Sequence, residues 1–256
     1  MLRYLTLNLA LLIPLSVGIS PAAAEPVSGY DYLTPDMQAM QDDDFGNPGM
    51  LTVEAGHSLF GQPGANGKAC SSCHGENGEK LDARNLARYP VYSETLQKPV
   101  TLRRRILLCR ERHQDGPALD YGSEQAMQLE TFVRNLARGQ TIDVDVSGPM
   151  ARWYSAGEKL FHTRYGQVDI ACHQCHDYHA GQHFRGQLLS QGQSNGFPLY
   201  RYTEGHMVGL QERISECLTS LRAEPWSPGS PEYLEFEVYM NARSNGLKIE
   251  TPAIRY

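Results

Sequence analysis

The chain carries the pattern Cys-x-x-Cys-His twice, as Cys70-Ser71-Ser72-Cys73-His74 and as Cys172-His173-Gln174-Cys175-His176. Two thiols three residues apart on a helical turn can each form a thioether to one porphyrin vinyl group. The histidine that follows is then held under the iron as proximal ligand. A bare Cys-x-x-Cys also suits zinc or thiol redox chemistry. An immediate His, twice, behind an export signal, points to two covalently attached c-type haems.

The export signal is residues 1–24. Arg3 supplies a positive start, residues 4–18 are mostly apolar, and Ala22-Ala23-Ala24 offer a small-residue cleavage site before Glu25. A membrane anchor is the competing reading. The apolar run is broken by Thr6, Asn8, Pro14 and Ser16 and falls short of the roughly 20 residues needed to span a bilayer. A cleaved signal peptide, no membrane anchor and a periplasmic location are therefore expected. Residues 25–256 remain after cleavage, enough for two ordinary domains. Without Arg3, 22 basic residues face 29 acidic ones, and no dominant basic patch suggests a nucleic-acid partner. Arg103-Arg104-Arg105 reads as a solvated or propionate-facing helix end, and Asp42-Asp43-Asp44 as a solvated loop.

The chain also repeats outside the cysteine motifs. Ala55-Gly56-x-x-Leu59-Phe60 matches Ala156-Gly157-x-x-Leu160-Phe161 at an offset of 101, and the two motifs match at 102. Leu102-x-x-Arg105-Ile106-x-x-Cys109 matches Leu210-x-x-Arg213-Ile214-x-x-Cys217 at 108. Two homologous domains follow, residues 25–147 around the first haem and 148–256 around the second. Helical spacing runs through 150–165 (Trp153, Ala156, Leu160, Phe161), 123–138 (Met127, Leu129, Phe132, Val133, Leu136) and 231–243 (Leu234, Phe236, Val238, Tyr239, Met240). No convincing period-2 strand stands out. Residues 140–148 read as a polar linker, and 25–47, with few core signals, as an extended N-terminal arm. The expected fold is all-α, two tandem cytochrome c-like domains, each with helix, haem motif, loop, distal-ligand helix and terminal helix in that order.

The two remaining cysteines, Cys109 and Cys217, hold the same relative place in the repeats, 39 and 45 residues after the first Cys of each motif. A distal thiolate is anionic, stabilises ferric iron and lowers the potential relative to a thioether. A disulfide between them is the alternative that an oxidising compartment permits. The duplication argues against it, because equivalent residues should each lie in their own pocket, too far apart to bridge. Rival distal ligands are His113, Met127 and Met150 in the first repeat, and His179, His183, His206, Met207 and Met240 in the second. None recurs as a matched pair, and Met207 is the strongest rival. Arg105 and Arg213 each stand four residues before the distal Cys, one helical turn away on the same face. At about 4 Å and an effective dielectric of about 20, a unit charge pair is worth on the order of 4 kcal/mol. Such a guanidinium can hold a sulfur anion or bind a small oxyanion beside it. For Arg105 a salt bridge to a haem propionate serves equally well.

With both motifs, a distal Cys in each half and Arg213-Ile214-Ser215-Glu216-Cys217, the chain resembles the SoxA family of SoxAX cytochromes in its dihaem form, from about Tyr30 to the C-terminus. The resemblance implies a haem-dependent L-cysteine S-thiosulfotransferase. It implies a persulfide on Cys217, with Arg213 helping to bind thiosulfate. It also implies a heterodimer with a monohaem SoxX-like cytochrome, a SoxYZ carrier whose cysteine is the second substrate, and a cytochrome c electron acceptor. A dihaem electron carrier and a thiosulfate dehydrogenase forming tetrathionate are the other activities that the constellation fits.

Overall fold

Each half is organised by a glycine. In the computed structural model, which describes residues 25–115, 118–184 and 187–256, the repeated Ala-Gly-x-x-Leu-Phe segments lie on helices that cross the terminal helix of their own half. A Cβ on Gly56 would run into the carbonyl oxygen of Gln128 and lie 2.7 Å from the Phe132 Cβ. On Gly157 it would run into the carbonyl oxygen of Glu235 and lie 2.7 Å from the Tyr239 Cβ. The motif glycines thus let two backbones touch, and the equal distances make the duplication three-dimensional. The expected signal peptide, residues 1–24, lies outside the described residues.

In chain order, a 3₁₀ turn Gly29–Tyr32 leads into α1 (Pro35–Asp42). The first half then runs α2 (Met50–Gly61), α3 (Ser71–His74), α4 (Ala83–Leu86), the hairpin β1 (Val91–Ser93) and β2 (Lys98–Val100), α5 (Leu102–His113) and α6 (Glu124–Asn135). The second repeats the plan with α7 (Ala151–His162), α8 (Cys172–His176), a small hairpin β3 (His183–Phe184) and β4 (Gln187–Leu188), β5 (Leu199–Arg201), β6 (His206–Val208), α9 (Leu210–Ser220) and α10 (Pro231–Arg243), and closes with β7 (Ala253–Arg255). Side-chain caps start several helices: Thr101 accepts from Arg104 N, Ser123 from Ala126 N, and Ser230 from Tyr233 N. One core gathers Phe60, Leu129, Phe132 and Val133, and the other Phe161, Phe236, Tyr239 and Met240. Among the described residues no helix is long and apolar enough to cross a membrane.

Four features differ from the expectations above, and only the first bears on the all-α class. The first is the strands. Antiparallel hairpins β1–β2 and β5–β6 precede the distal helices of the two halves, in the registers Val91↔Val100 and Leu199↔Val208. Three-residue strands are too short to declare a period of 2. They do have a local signature, Tyr89-Pro90-Val91-Tyr92 and Phe197-Pro198-Leu199-Tyr200 at an offset of 108, with both prolines cis.

The second is the arm, which is not extended. Leu33 and Met37 pack on Ile254, and the buried Gln41 side chain accepts hydrogen bonds from Ile254 N (2.9 Å) and the Arg255 guanidinium (2.7 Å). The partner of this segment is the far end of the chain, where β7 adds to β5 in parallel, so no local pattern could announce it. The third is the linker. Ile142 and Val144 enter the first core together with Ile249, and Ile142 N and Ile249 N donate to the carbonyls of Leu247 and Gln140. Burial of two apolar side chains outweighs the polar residues around them.

The fourth is Arg103, which is neither solvated nor at a free helix end. It is 3% exposed and donates to Glu130 on α6 (2.8 Å) and to Glu212 on α9 (2.6 Å), so it bridges the two halves. Its counterpart in the second half, Gln211, donates to Glu237 (2.5 Å), the counterpart of Glu130. Tyr121 adds its hydroxyl to Glu237 (3.1 Å) and its carbonyl to Arg103 (3.1 Å). Gly209 caps α9 without a side chain because a Cβ there would strike Arg103 and Glu212.

Candidate functional site

The two cysteines and the histidine of the second motif share the short helix α8, whose entry is closed by the motif itself: Gln174 Oε1 accepts from Ala171 N at 2.9 Å. In the first motif Ser72 does the same for Ala69 N at 3.0 Å. The residue before the second cysteine is therefore the cap that winds the turn, and the turn brings both sulfurs and the imidazole to one side. His176 Nδ1–H donates to the carbonyl of Ser190 (2.9 Å), which leaves Nε2 as the free electron pair. Burial pushes the His176 imidazole below its ordinary pKa, and the charges of Arg243 and Arg213 work the same way against the Ser190 bond. A neutral ring is the form that ligates iron.

Cys217 sits half-buried on α9, with Arg213 one turn before it. Burial drives the Cys172 thiol up to about 12, and the Cys217 sulfur adds the next contribution, so Cys217 shares a pocket with its own motif. Burial also raises the Cys217 thiol, against the pull of Arg213 and Arg201. The Arg213 charge thus favours the anionic form of this sulfur but does not outweigh burial. Arg213 is itself engaged, since Nη1 donates to Glu216 at 2.7 Å. Both side chains are one-third exposed, and such a pair is worth about 0–1 kcal/mol. It holds the guanidinium in place and yields readily to a better anion.

The first half presents the same parts with different supports. Phe60 lies 6.3 Å from the His74 ring at 38°, and Phe161 lies 6.5 Å from the His176 ring at 32°. Gln114 reaches the Cys70 sulfur at 3.3 Å. His57 Nε2 donates to the carbonyl of Glu76 (3.1 Å), two residues after His74. Burial raises the Cys109 thiol, Arg105 and Arg112 lower it, and Cys73 raises it, so Cys109 likewise faces its own motif. Arg105 makes no ion pair among the described residues. No disulfide joins any two of the six cysteines. Of the rival ligands, Met207 lies in β6 opposite Tyr200, Met240 is packed in the second core, Met150 is buried ahead of α7, and His113, His179, His183 and His206 are exposed.

A covalently attached haem suits these residues. The sulfurs and a preoriented imidazole converge on an apolar wall, of which Leu210, Ile214 and Trp226 form part in the second half. In the first half the buried Arg110 Nε–H, near Cys70, has no protein acceptor, as expected where a group with carboxylates completes the site.

The sequence profile of the SoxA/TsdA cytochrome c domain matches residues 55–142 and again 156–249. The chain is 35% identical to the L-cysteine S-thiosulfotransferase subunit SoxA of Rhodovulum sulfidophilum, over 89% of this chain and 79% of that one. The chain belongs to the SoxA family. The SoxA protein of Pseudaminobacter salicylatoxidans is 34% identical over 90% of this chain and 81% of its own length. The crystal structure of SoxXA from P. pantotrophus superposes with a TM-score of 0.83 at 30% identity, covering 90% of this chain and 87% of that one. Against this SoxA background, motif reading missed the supports: Ser190, Gly192, Arg243 and Arg201. They lie 14 or more residues from the motif they serve, and only the aromatic-Pro-aliphatic-Tyr signature ahead of Arg201 was visible in the repeat.

Proposed function

We propose that this chain is the dihaem subunit of a periplasmic SoxAX-type cytochrome and acts as an L-cysteine S-thiosulfotransferase. Cys70, Cys73 and His74 would carry the first haem, with Cys109 as its distal ligand. Cys172, Cys175 and His176 would carry the second, with Cys217, and the domains divide near residue 147. The observation that carries the reading is Cys217 beside its own motif cysteines with Arg213 one turn away.

Thiosulfate, a dianion, displaces Glu216 from Arg213 and is held next to the Cys217 sulfur, which in this reading bears a second sulfur as a persulfide and serves as the covalent relay. A cysteine thiol of a SoxYZ-like carrier and thiosulfate are joined through a new S–S bond, releasing one proton and two electrons. Bound haem supplies the exit for those electrons, toward a cytochrome c acceptor. The SoxXA structure supports a small SoxX-like monohaem cytochrome as the partner chain.

The test has two parts. Intact mass of the mature protein should report cleavage after Ala24, two haems and one extra sulfur. Turnover with thiosulfate should depend on the carrier and yield its S-thiosulfonate. Tetrathionate formed without carrier would transfer the assignment to a thiosulfate dehydrogenase, and electron transfer without any sulfur product would reduce it to a dihaem carrier.

A further inference from the structure

The proximal side of the second motif contains a charged residue that the sulfur chemistry does not use. Arg243, in the last turn of α10, donates from Nη2 to Asp177 Oδ1 (2.8 Å) and to the carbonyl of Gln191 (3.1 Å). Asp177 directly follows the proximal His176, and Gln191 directly follows Ser190, whose carbonyl accepts from His176 Nδ1. One guanidinium nitrogen therefore ties together the two strands of chain that define the ring's position. Its plane is fixed in turn by the Phe161 ring, 4.7 Å from the guanidinium carbon. Beyond Ser190 the chain passes flush against the imidazole. Gly192 has φ +70°, and a Cβ on it would lie 3.0 Å from two atoms of the His176 ring.

The first half lacks this arrangement. The helix crossing pairs Phe132 with Tyr239 at an offset of 107, which places Leu136 where Arg243 stands. Leu136 packs toward Gly78, 2.6 Å from where a Cβ on that residue would be. Among the described residues the His74 ring donates no hydrogen bond.

We propose that Arg243 is a positioning residue for the proximal ligand of the second haem. By joining Asp177 to the chain at Ser190 and Gln191 it holds the His176 ring in one orientation with its Nδ1–H on the Ser190 carbonyl. This rests on the ligation of iron by His176 proposed above. A proximal imidazole that donates to a carbonyl is a more basic ligand and favours ferric iron. The clamp thus sets the second haem, and not the first, toward a low potential and a single ligand geometry.

Two variants of the full complex test it. Arg243→Leu installs the first half's residue. Loss of a cation alone would lower the second haem's potential, whereas loss of the clamp raises it. The expected result is an upward shift confined to the second haem, with its low-spin electron paramagnetic resonance signal broadened or split. Gly192→Ala pushes on the ring without changing any charge and should shift the second haem in the same direction, which keeps the test open if Arg243→Leu loads haem poorly. A potential for the second haem that falls or stays unchanged in these variants overturns the proposal. Haem counting by mass separates the two failures. Two thiolate-type haems with unmoved potentials leave the ligation standing and remove the clamp, whereas absence of haem at the second motif removes both.

Discussion

On α5 the residue before Cys109 is Leu108, buried in the protein, whereas on α9 the residue before Cys217 is Glu216, which pairs with Arg213 at 2.7 Å. Among the described residues Arg105 has no such carboxylate and no ion pair. The two halves otherwise share glycine crossing, motif turn, aromatic contact to the motif histidine and hairpin to within a few tenths of an ångström or a few degrees where both are measured. Duplication copied a container, and the differences lie in the charges placed around it. The second half has Arg213, Glu216, Arg201 and Arg243 near its sulfur or imidazole. The first has Arg105 and Arg112 near its Cys109 sulfur, while His57 and Gln114 brace its motif through hydrogen bonds.

The largest effect is expected where the halves meet. Arg103→Met would leave Glu130 and Glu212 without their shared cation, a loss of about 3–5 kcal/mol for breaking a buried pair. Chemical denaturation should show a lower midpoint, and an unchanged midpoint would mean the halves are not joined through this residue. The same seam carries a pH signature. Burial raises the Glu237 carboxyl to about 7, with Glu130 adding to the shift. The folded form therefore keeps a proton that the unfolded chain releases from about pH 4.5 upward. That contribution to stability is complete at low pH and is lost as pH rises through about 7. The melting temperature should fall between pH 5 and pH 8, and Glu237→Gln should flatten that fall.

Next comes the pair of distal-helix arginines. Arg213→Ala should cost on the order of 2–4 kcal/mol in the coupling step, and Arg105→Ala far less, at equal haem content. Equal losses would erase the functional distinction between the halves. The crossing glycines should behave oppositely, as equals. Gly56→Ala and Gly157→Ala each force a methyl into a facing backbone, and about 1–3 kcal/mol of overpacking is expected from either. A large inequality in thermal unfolding would show that the two containers are not the same. The smallest effect belongs to Glu216→Gln, which frees Arg213 from a partly exposed pair worth less than about 1 kcal/mol. The KM for thiosulfate should drop by up to about fivefold, and a rise would make Glu216 part of the substrate site.

The duplication and the helical half of the fold were legible in the residues alone. Cys-x-x-Cys-His, the repeated Gly56 and Gly157 and the Arg213–Cys217 spacing are local, encoded within one or two turns of helix, and they appear where expected. What tertiary structure alone decided are contacts between residues far apart in the chain. Leu33 and Met37 find Ile254, Ile142 finds Ile249, and Arg103 leaves its basic run to be buried between Glu130 and Glu212. The Ser190 carbonyl reaches His176 through a loop whose sequence has no signal for it. Short-range periodicity reports which face of an element is apolar, but a three-residue strand or a lone charge has no period. Its place is set by the partner that folding brings to it, and for this chain those partners form the seam between the halves and the supports of the second site.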